Sequence, residues 1–385
     1  SISMWSIEFL DAAMHVSTNP IPSWMHFEID MTVLWIVVVA TTLSALVSGF
    51  VPAWMSSRAD SVEVLKEGGR GNTSRSVMVI SRGLVIFQIL ITCVLLIGSM
   101  LFLQSVRNQQ NTDFGYDTDS VLAGRVGLMR GDYPTSANRK VFYESVLREL
   151  RASGQFAAVA LTNRFRMVFA GAGPIEIEGN QYLDDSDREI SNVENVSPGY
   201  FETLGLRIVE GRDFTENDTD QNEPVAIVNA AFARKHFGNI SPLDRRFRIT
   251  NGNGSNPGAW RRIVGVVPSV RMQGPFNTAV DESGFYVPYF ATAFGPVPEE
   301  AQAQQFGTIV VRPREGQRPE GLINTLAQQV NRVDPNLPMY FVEPPSTALE
   351  NLMSQNRLVG KMFLIFGAIA VILASVNIFG GFLVT

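Results

Sequence analysis

LVIFQILITCVLLIGSMLFL, residues 84–103, runs for a full membrane thickness without one charged side chain. A helix rises about 1.5 Å per residue and a bilayer's hydrocarbon core is about 30 Å thick, so about 20 apolar residues suffice to cross it. Two further stretches have the same character, Thr32–Met55 and Met362–Leu383. Their spacing is uneven. The first two lie close together, and the third comes only after a long stretch with the composition of a water-soluble domain. We therefore expect membrane α-helical spans plus an α+β extracytoplasmic domain, hung from the bilayer by a helix at each end.

Basic residues set the orientation. Residues 1–30 hold no Lys or Arg but carry Glu8, Asp11, Glu28 and Asp30, whereas the link Ser56–Arg82 carries Arg58, Lys66, Arg70, Arg75 and Arg82. Short loops rich in Lys and Arg stay on the cytoplasmic side. Residues 1–31 then form an outward loop, 32–55 a span, 56–82 a cytoplasmic linker, 83–104 a second span, 105–356 the outward domain and 357–385 a third span. Trp24, Trp35 and Trp54 lie near the ends of the first span, where indole rings favour the interface. A net charge of −6 gives no basic footprint for nucleic acid. The one cysteine, Cys93, lies inside a span, so no disulfide can form within the chain.

Within the outward domain, Asp113–Arg125 reads as a turn feeding a strand. Pro134–Ser153 reads as a helix capped by Thr135 or Ser136, with Phe142, Val146, Leu147 and Leu150 as its apolar stripe. Ala157–Leu161 is a short buried strand. The same order returns later as strand Thr308–Arg312, helix Pro319–Val333 and strand Pro338–Val342. Two β-α-β halves of this kind pack as one α/β lobe (about 105–170 and 305–345). Between them, about 171–304 reads as a β-rich inserted lobe. Its strands are Ile175–Ile177, Pro224–Val228, Arg246–Ile249 and Ile263–Val267, and its short helices Pro198–Thr203 and Ala230–Phe237.

These residues carry a resemblance. Val196–Phe214 (VSPGYFETLGLRIVEGRDF), Val225–Phe237 (VAIVNAAFARKHF), Trp260–Val270 (WRRIVGVVPSV) and Tyr286–Tyr289 (YVPY) resemble the outward domain of MacB/FtsX-type ABC transporter permeases. The link from Pro52-Ala53 through Arg58, Asp60, Leu65, Lys66 and Glu67-Gly68-Gly69-Arg70-Gly71 resembles the join between the halves of duplicated permeases of this group. Gln88 and the turn Phe114-Gly115-Tyr116-Asp117 fit the same pattern. The resemblance implies a permease subunit of the bacterial inner membrane, multi-pass, with its large domain in the periplasm. It further implies a piece of a larger permease of the duplicated branch, in which the odd number of spans leaves others unaccounted for.

The function implied is mechanical rather than chemical. By the resemblance, a separate cytoplasmic ABC ATPase hydrolyses ATP and this chain passes the resulting movement to the periplasmic domain, for export, lipoprotein handling or envelope control. In Ser56–Glu67, Val62 and Leu65 share a helical face, with Val64 beside them; Arg58, Asp60, Val62, Leu65 and Lys66 are the expected ATPase-coupling residues. A helix lying on the lipid surface is the plainer alternative for that segment. Gln88 and Asn377, polar groups inside spans, are expected to contact neighbouring helices. Membrane lipid, a periplasmic adaptor or envelope protein, and a second copy or a duplicated half pairing as a pseudo-dimer complete the implied partners.

Catalysis finds no purchase. There is no GxxxxGK[ST] phosphate loop, and Gly68-Gly69-Arg70-Gly71-Asn72-Thr73 lacks the required Lys. His15, His26 and His236 stand far apart, so we expect no metal, cofactor or catalytic residue, and no enzyme. Asp184, Asp185, Asp187 and Glu189 read as a solvated turn, and Gly199, Gly205 and Gly211 as turn and cap positions. The rival function is an extracytoplasmic ligand-binding sensor or receptor anchored by flanking transmembrane helices. The extra span and basic link before the domain favour the permease.

Overall fold

A computed structural model of the chain describes residues 31–32, 34–43, 46 and 75–383, except for 111, 185–186, 219–222, 251–253, 255–256, 277–281 and 292–303. Contacts divide the chain into two compact units, one formed by Ser1–Gln104 with Leu358–Thr385 and the other by Ser105–Arg357.

The first unit holds a short apolar helix, α1 (Leu34–Leu43), most of α2 (Arg75–Gln110) and the apolar part of α7 (Pro345–Leu383). Among the described residues one helix, Ile89–Gln109, is long and apolar enough to cross a membrane. Much of Thr32–Met55, and many side chains of Met362–Leu383, lie outside the described set. The outer face of α2 is apolar, with Phe87, Leu90, Val94, Ile97 and Leu101 exposed, while Thr92 and Ser99 are its buried residues in this stretch. A water-soluble helix would place these residues the other way round. Ser99 sits against α7, where its hydroxyl donates to Leu95 O at 2.7 Å and Phe363 O at 3.2 Å. A Cβ added at Gly367 would lie 3.5 Å from Leu96 and 3.6 Å from Ser99 Oγ, and one at Gly360 3.4 Å from Phe102. Small residues thus let the two helices approach closely.

The second unit carries an 11-stranded sheet in two parts. In the first, β1 (Leu122–Gly127), α3 (Ser136–Ala152) and β2 (Phe156–Thr162) form one β-α-β half. The other half is β10 (Phe306–Pro313), a 3-10 turn (Pro319–Leu322), α6 (Ile323–Val333) and β11 (Met339–Glu343). The strand order β11-β1-β10-β2 is antiparallel throughout, so the halves interleave as in a split β-α-β fold. Both helices lie on one face. Phe142, Tyr143, Val146, Leu147 and Leu150 of α3 and Leu326 and Val330 of α6 meet Leu122, Val126, Val159, Leu161, Ile309 and Val311 of the sheet. Thr135 caps α3 by accepting from Asn138 N at 3.1 Å. The sequence predicts one helix over Pro319–Val333, whereas the first turn is 3-10 and begins on Pro319.

The inserted part closes on itself. Six strands pair in a ring: β4 (Ile190–Val196), β3 (Gly171–Ile177), β7 (Arg246–Ile249), β8 (Arg261–Val267), β6 (Val225–Asn229) and β9 (Gly284–Pro288), which returns to β4. The two-residue β5 (Glu210–Gly211) adds to β8. Alternate residues point inward, among them Ile175, Ile177, Val228, Phe247, Ile249, Phe285 and Val287. Helix α5 (Ala230–Phe237) stoppers the ring with Phe232, whose ring centroid lies 5.1 Å from that of Phe247 and 6.0 Å from that of Phe285. Asn229 fixes this helix: its Oδ1 accepts from Phe232 N at 2.8 Å and Gly284 N at 3.2 Å.

Outside the ring, Glu176 of β3 receives Arg188 Nε and Arg248 Nε, both at 2.8 Å. Burial alone would push this carboxyl up, but the hydrogen bonds from Arg188 and Arg248 outweigh it and hold it below the usual carboxylate range. A depressed folded value adds stability above the ordinary carboxylate range, and that stability is lost as pH falls through the folded value. Glu176→Gln is therefore expected to cost about 1–3 kcal/mol in chemical denaturation at neutral pH. The gap from wild type should close progressively below the ordinary carboxylate range; a gap independent of pH would show that the charge contributes nothing.

Candidate functional site

The two parts of the sheet meet at one residue pair, Thr162 of β2 with Val196 of β4. Side chains complete what the ladder leaves out. Leu161 N donates to Ser197 Oγ and Ser197 N to Leu161 O, both at 2.9 Å. Asn195 N donates to Asn163 Oδ1 at 2.9 Å, and Asn163 N to Asn195 O at 3.1 Å. This explains why β4, ISNVENV, is absent from the strands expected from sequence. Its polar residues give no apolar strand pattern, yet Ser191, Asn192, Glu194 and Asn195 are all buried. Most of their polar atoms are satisfied by the seam and by neighbouring strands, whereas Glu194 Oε2 has no hydrogen-bond partner and faces Arg164 Nη1 instead.

At the centre of the seam lies an ion pair without solvent exposure. Arg164 Nη1 stands 3.8 Å from Glu194 Oε2, and both side chains are 0% exposed. Glu194 Oε1 accepts from Thr162 Oγ1 and from Tyr200 OH, each at 2.5 Å. Arg164 donates through Nη2 to Arg271 O, and its own carbonyl accepts from Thr308 Oγ1 at 2.8 Å. The cluster thus ties β2, β4, β10, the loop after β8 and helix α4 (Tyr200–Leu204) into one knot. Burial pushes the Glu194 carboxyl up, against the pull of Arg164, Thr162 and Tyr200. Burial would also push Arg164 down, but Glu194 beside it carries the guanidinium above its usual value.

The segment 196–214 is built around this knot. Gly199 (φ +83°) opens α4 and Gly205 (φ +74°) closes it, and both lie in the left-handed region. A Cβ at Gly205 would come within 2.7 Å of the Arg312 guanidinium, whose Nε donates to Thr203 O at 2.8 Å. A Cβ at Gly211 would lie 2.2 Å from Val264 O. Asp213 accepts from Phe214 N at 2.7 Å and Gly199 N at 3.3 Å, which closes the loop on itself. Tyr286 from the YVPY stretch packs edge-on to Phe201 at 4.9 Å.

Below the knot, the turn after α2 and the first turns of α7 share a small core of Phe114, Val168, Ala348, Leu349 and Met353. Gly115 (φ +77°) lets this turn pass close to the strand connections, since a Cβ there would sit 2.4 Å from Ser269 O. Arg271 N donates to Phe114 O at 3.1 Å. Tyr116 connects this collar to the knot: its hydroxyl donates to Met167 O at 3.3 Å, and burial pushes it up to about 12.

Of the residues singled out from sequence, Arg58, Asp60, Val62, Leu65 and Lys66 lie outside the described residues. Gln88 falls on α2 and Asn377 on α7, with their side chains outside the described set. Among the described residues the contact between α2 and α7 runs through Ser99, Gly360 and Gly367; glycines spaced seven apart on an apolar helix are its signal in the sequence. The acidic stretch is a turn in which Asp187 Oδ2 accepts from Leu183 N and Asp184 N, both at 3.0 Å, while Glu189 pairs with Lys235 at 2.7 Å. Among the described residues no group of three or more His, Cys, Asp or Glu is placed to hold a metal ion. The arrangement locks the two sheet parts and the collar together.

The lock has a measurable signature. Arg164→Met or Glu194→Gln alone is expected to cost about 3–5 kcal/mol, each leaving a buried charge unpaired. The double variant should cost less than the sum by at least about 1 kcal/mol. Additive losses in urea denaturation would show that the two charges do not support one another.

Residues 83–329, more than half of the chain, match the family described as "MacB-like periplasmic core domain". No curated protein matches the chain. Among solved structures, the periplasmic region of MacB from Actinobacillus actinomycetemcomitans is 15% identical with a TM-score of 0.37, covering 62% of this chain and 94% of that one. A domain of a putative permease protein from Porphyromonas gingivalis is 15% identical with a TM-score of 0.35, covering 60% and 94%. The extracellular domain of the "noncanonic ABC-type transporter YknZ from Gram-positive bacteria" is 15% identical with a TM-score of 0.32, covering 55% and 91%. The chain belongs to the MacB/FtsX-type ABC transporter permeases, the family that carries the MacB-like periplasmic core domain.

Proposed function

We propose that this chain is a permease subunit that couples ATP hydrolysis on a separate cytoplasmic ATPase to motion of its periplasmic domain. The observation that carries this reading is helical continuity. α2 is one helix from Arg75 to Gln110 and α7 one helix from Pro345 to Leu383, so both chain connections of the periplasmic domain are unbroken helix. A helix resists bending and stretching far better than a loop of the same length. Movement at one end is then delivered to the collar around Phe114 and Leu349, and through Tyr116 to the locked seam. The domain answers as a lever. No chemistry on this chain is required, and we propose that it is not an enzyme.

On this reading the chain is a multi-pass protein of the bacterial inner membrane, from the duplicated branch of the family. Its spans cover 32–55, 83–104 and 357–385, and the link 56–82 faces the cytoplasm. There Arg58, Asp60, Val62, Leu65 and Lys66 dock the ATPase, with Val62 and Leu65 as the apolar anchor. Gln88 and Asn377 support helix packing inside the bilayer. A periplasmic adaptor or envelope protein receives the motion, in export, lipoprotein handling or envelope control, and a second copy or duplicated half completes the pair.

The test is co-purification from membranes of the full-length protein. An ATPase subunit is expected to accompany wild type and to be lost with Leu65→Asp, which places a charge on the docking face. Recovery of the ATPase with both would move the contact elsewhere. Its absence from both, where a known permease complex survives, would sink the coupling role.

A further inference from the structure

The α/β part of the sheet has one face covered by α3 and α6. The opposite face is closed over Ala123, Ala160 and Val310 by α4 and its surroundings. Further along the strands it opens. There Phe165, Phe306, Tyr340 and Phe341 are 37%, 43%, 51% and 49% exposed, a concentration of aromatic surface on one small area. The β pairing gathers them: Arg125 lies opposite Tyr340 and Gly127 opposite Phe306. Phe165 and Phe341 meet edge to face at 5.6 Å.

Arg125 stands in the middle of this patch. Its guanidinium lies 4.9 Å from the Phe165 ring centroid and 5.3 Å from that of Phe306, and its Nη1 is buried with no hydrogen-bond partner. Among the described residues no carboxylate lies within ion-pair distance of it. The nearby Arg166 differs: it stacks on Phe341 at 4.8 Å and is neutralised by Glu343, at 2.9 Å from its Nε. Burial pulls the Arg125 guanidinium below its usual value, as expected for a cation held where solvation is poor. The backbone is also strained here. Arg166 (φ +50°), Met167 (φ +58°) and Phe341 (φ +50°) are three of the four described non-glycine residues with positive φ. Such residues carry backbone strain and gather where function requires a fixed geometry.

We infer that this face binds an acidic, aromatic-flanked segment of a partner protein in extended conformation, with a partner carboxylate pairing with the half-exposed Arg125 guanidinium. Charge selects the occupant, since Arg125 is a cation with no described carboxylate within ion-pair distance. Shape selects it too. The patch is spread over β1, β10, β11 and the loop after β2, and β11 ends the sheet, which offers backbone groups to an added strand. Rings that already sandwich Arg125 shield the new ion pair from water and hold the guanidinium flat. This inference goes beyond the coupling function and stands whether or not an ATPase docks at Leu65.

The probe is a fluorescein-labelled peptide, Phe-Glu-Phe-Glu-Phe with blocked ends, titrated by anisotropy against the full-length protein in zwitterionic nanodiscs. Its Gln counterpart and empty discs serve as controls. Wild type should prefer the Glu peptide by about tenfold or more, and Arg125→Met should abolish that preference. Arg125→Met keeps the apolar stem and removes an unpaired charge, so its melting temperature should hold or rise. Phe306→Ser should weaken both peptides. Equal binding of the two peptides to wild type, or a preference retained by Arg125→Met, would overturn the proposal. So would a clear fall in melting temperature on Arg125→Met, which would make Arg125 a structural residue. Self-association that Arg125→Met abolishes would assign the face to a second copy and equally overturn it.

Discussion

A guanidinium and a carboxylate, Arg164 and Glu194, meet inside the periplasmic domain at the one place where its sheet would otherwise come apart. A buried ion pair is a poor source of net stability, because taking both charges out of water costs about as much as their attraction returns. Its use lies elsewhere. Either charge alone is prohibitive in that site, so any movement that separates β2 from β4 strands both. The pair converts a weak join, one ladder pair wide, into a stiff one. The neighbouring Asn163, Asn195, Ser197 and Thr162 act in the same direction, since each would lose a buried hydrogen bond if the seam opened.

Stiffness at the seam gives the rest of the fold its meaning. The interleaved β-α-β halves provide a platform whose core is a single apolar layer under α3 and α6. The closed ring gains rigidity from having no edges and from the aromatic stopper at Phe232. Neither part shows a catalytic constellation among the described residues. Joined by the knot, they hold together as one compact unit, Ser105–Arg357. Three of the four described non-glycine residues with positive φ, and a guanidinium with no described carboxylate within ion-pair distance, gather in a different place, the open face around Arg125.

How much of this is legible in the chain depends on where apolar residues repeat. The stripe Phe142, Val146, Leu147 and Leu150 specifies α3, and short apolar runs locate β2, β6, β8 and β10 to within one or two residues at most ends. β4 escapes because Ser191, Asn192, Glu194 and Asn195 are buried polar residues, and no periodicity signals a polar residue whose partner is distant in sequence. Arg164 and Glu194 are invisible as a pair for the same reason: far apart along the chain, they are joined only by the fold. Gly199, Gly205 and Gly211 read correctly as turn and cap positions, because positive φ is a local demand. At the helix contact, Ser99, Gly360 and Gly367 make the approach among the described residues, and small residues carry a weaker signal in a sequence than polar ones do. In an apolar medium, close packing of small residues is as strong a determinant as a polar side chain.

Rigidity of the periplasmic domain is the claim on which the coupling account rests. It is tested most directly by a pulsed-EPR distance between labels at Arg148→Cys on α3 and Asn239→Cys beyond α5, with Cys93 replaced by Ser. The measurement is made in membranes holding the native ATPase, at rest and during ATP turnover. A single distance, the same in both conditions to within about 2 Å, is predicted. A second distance, or a larger shift when ATP is consumed, would mean that the two parts move against one another, and the locked seam would not be the basis of force transmission.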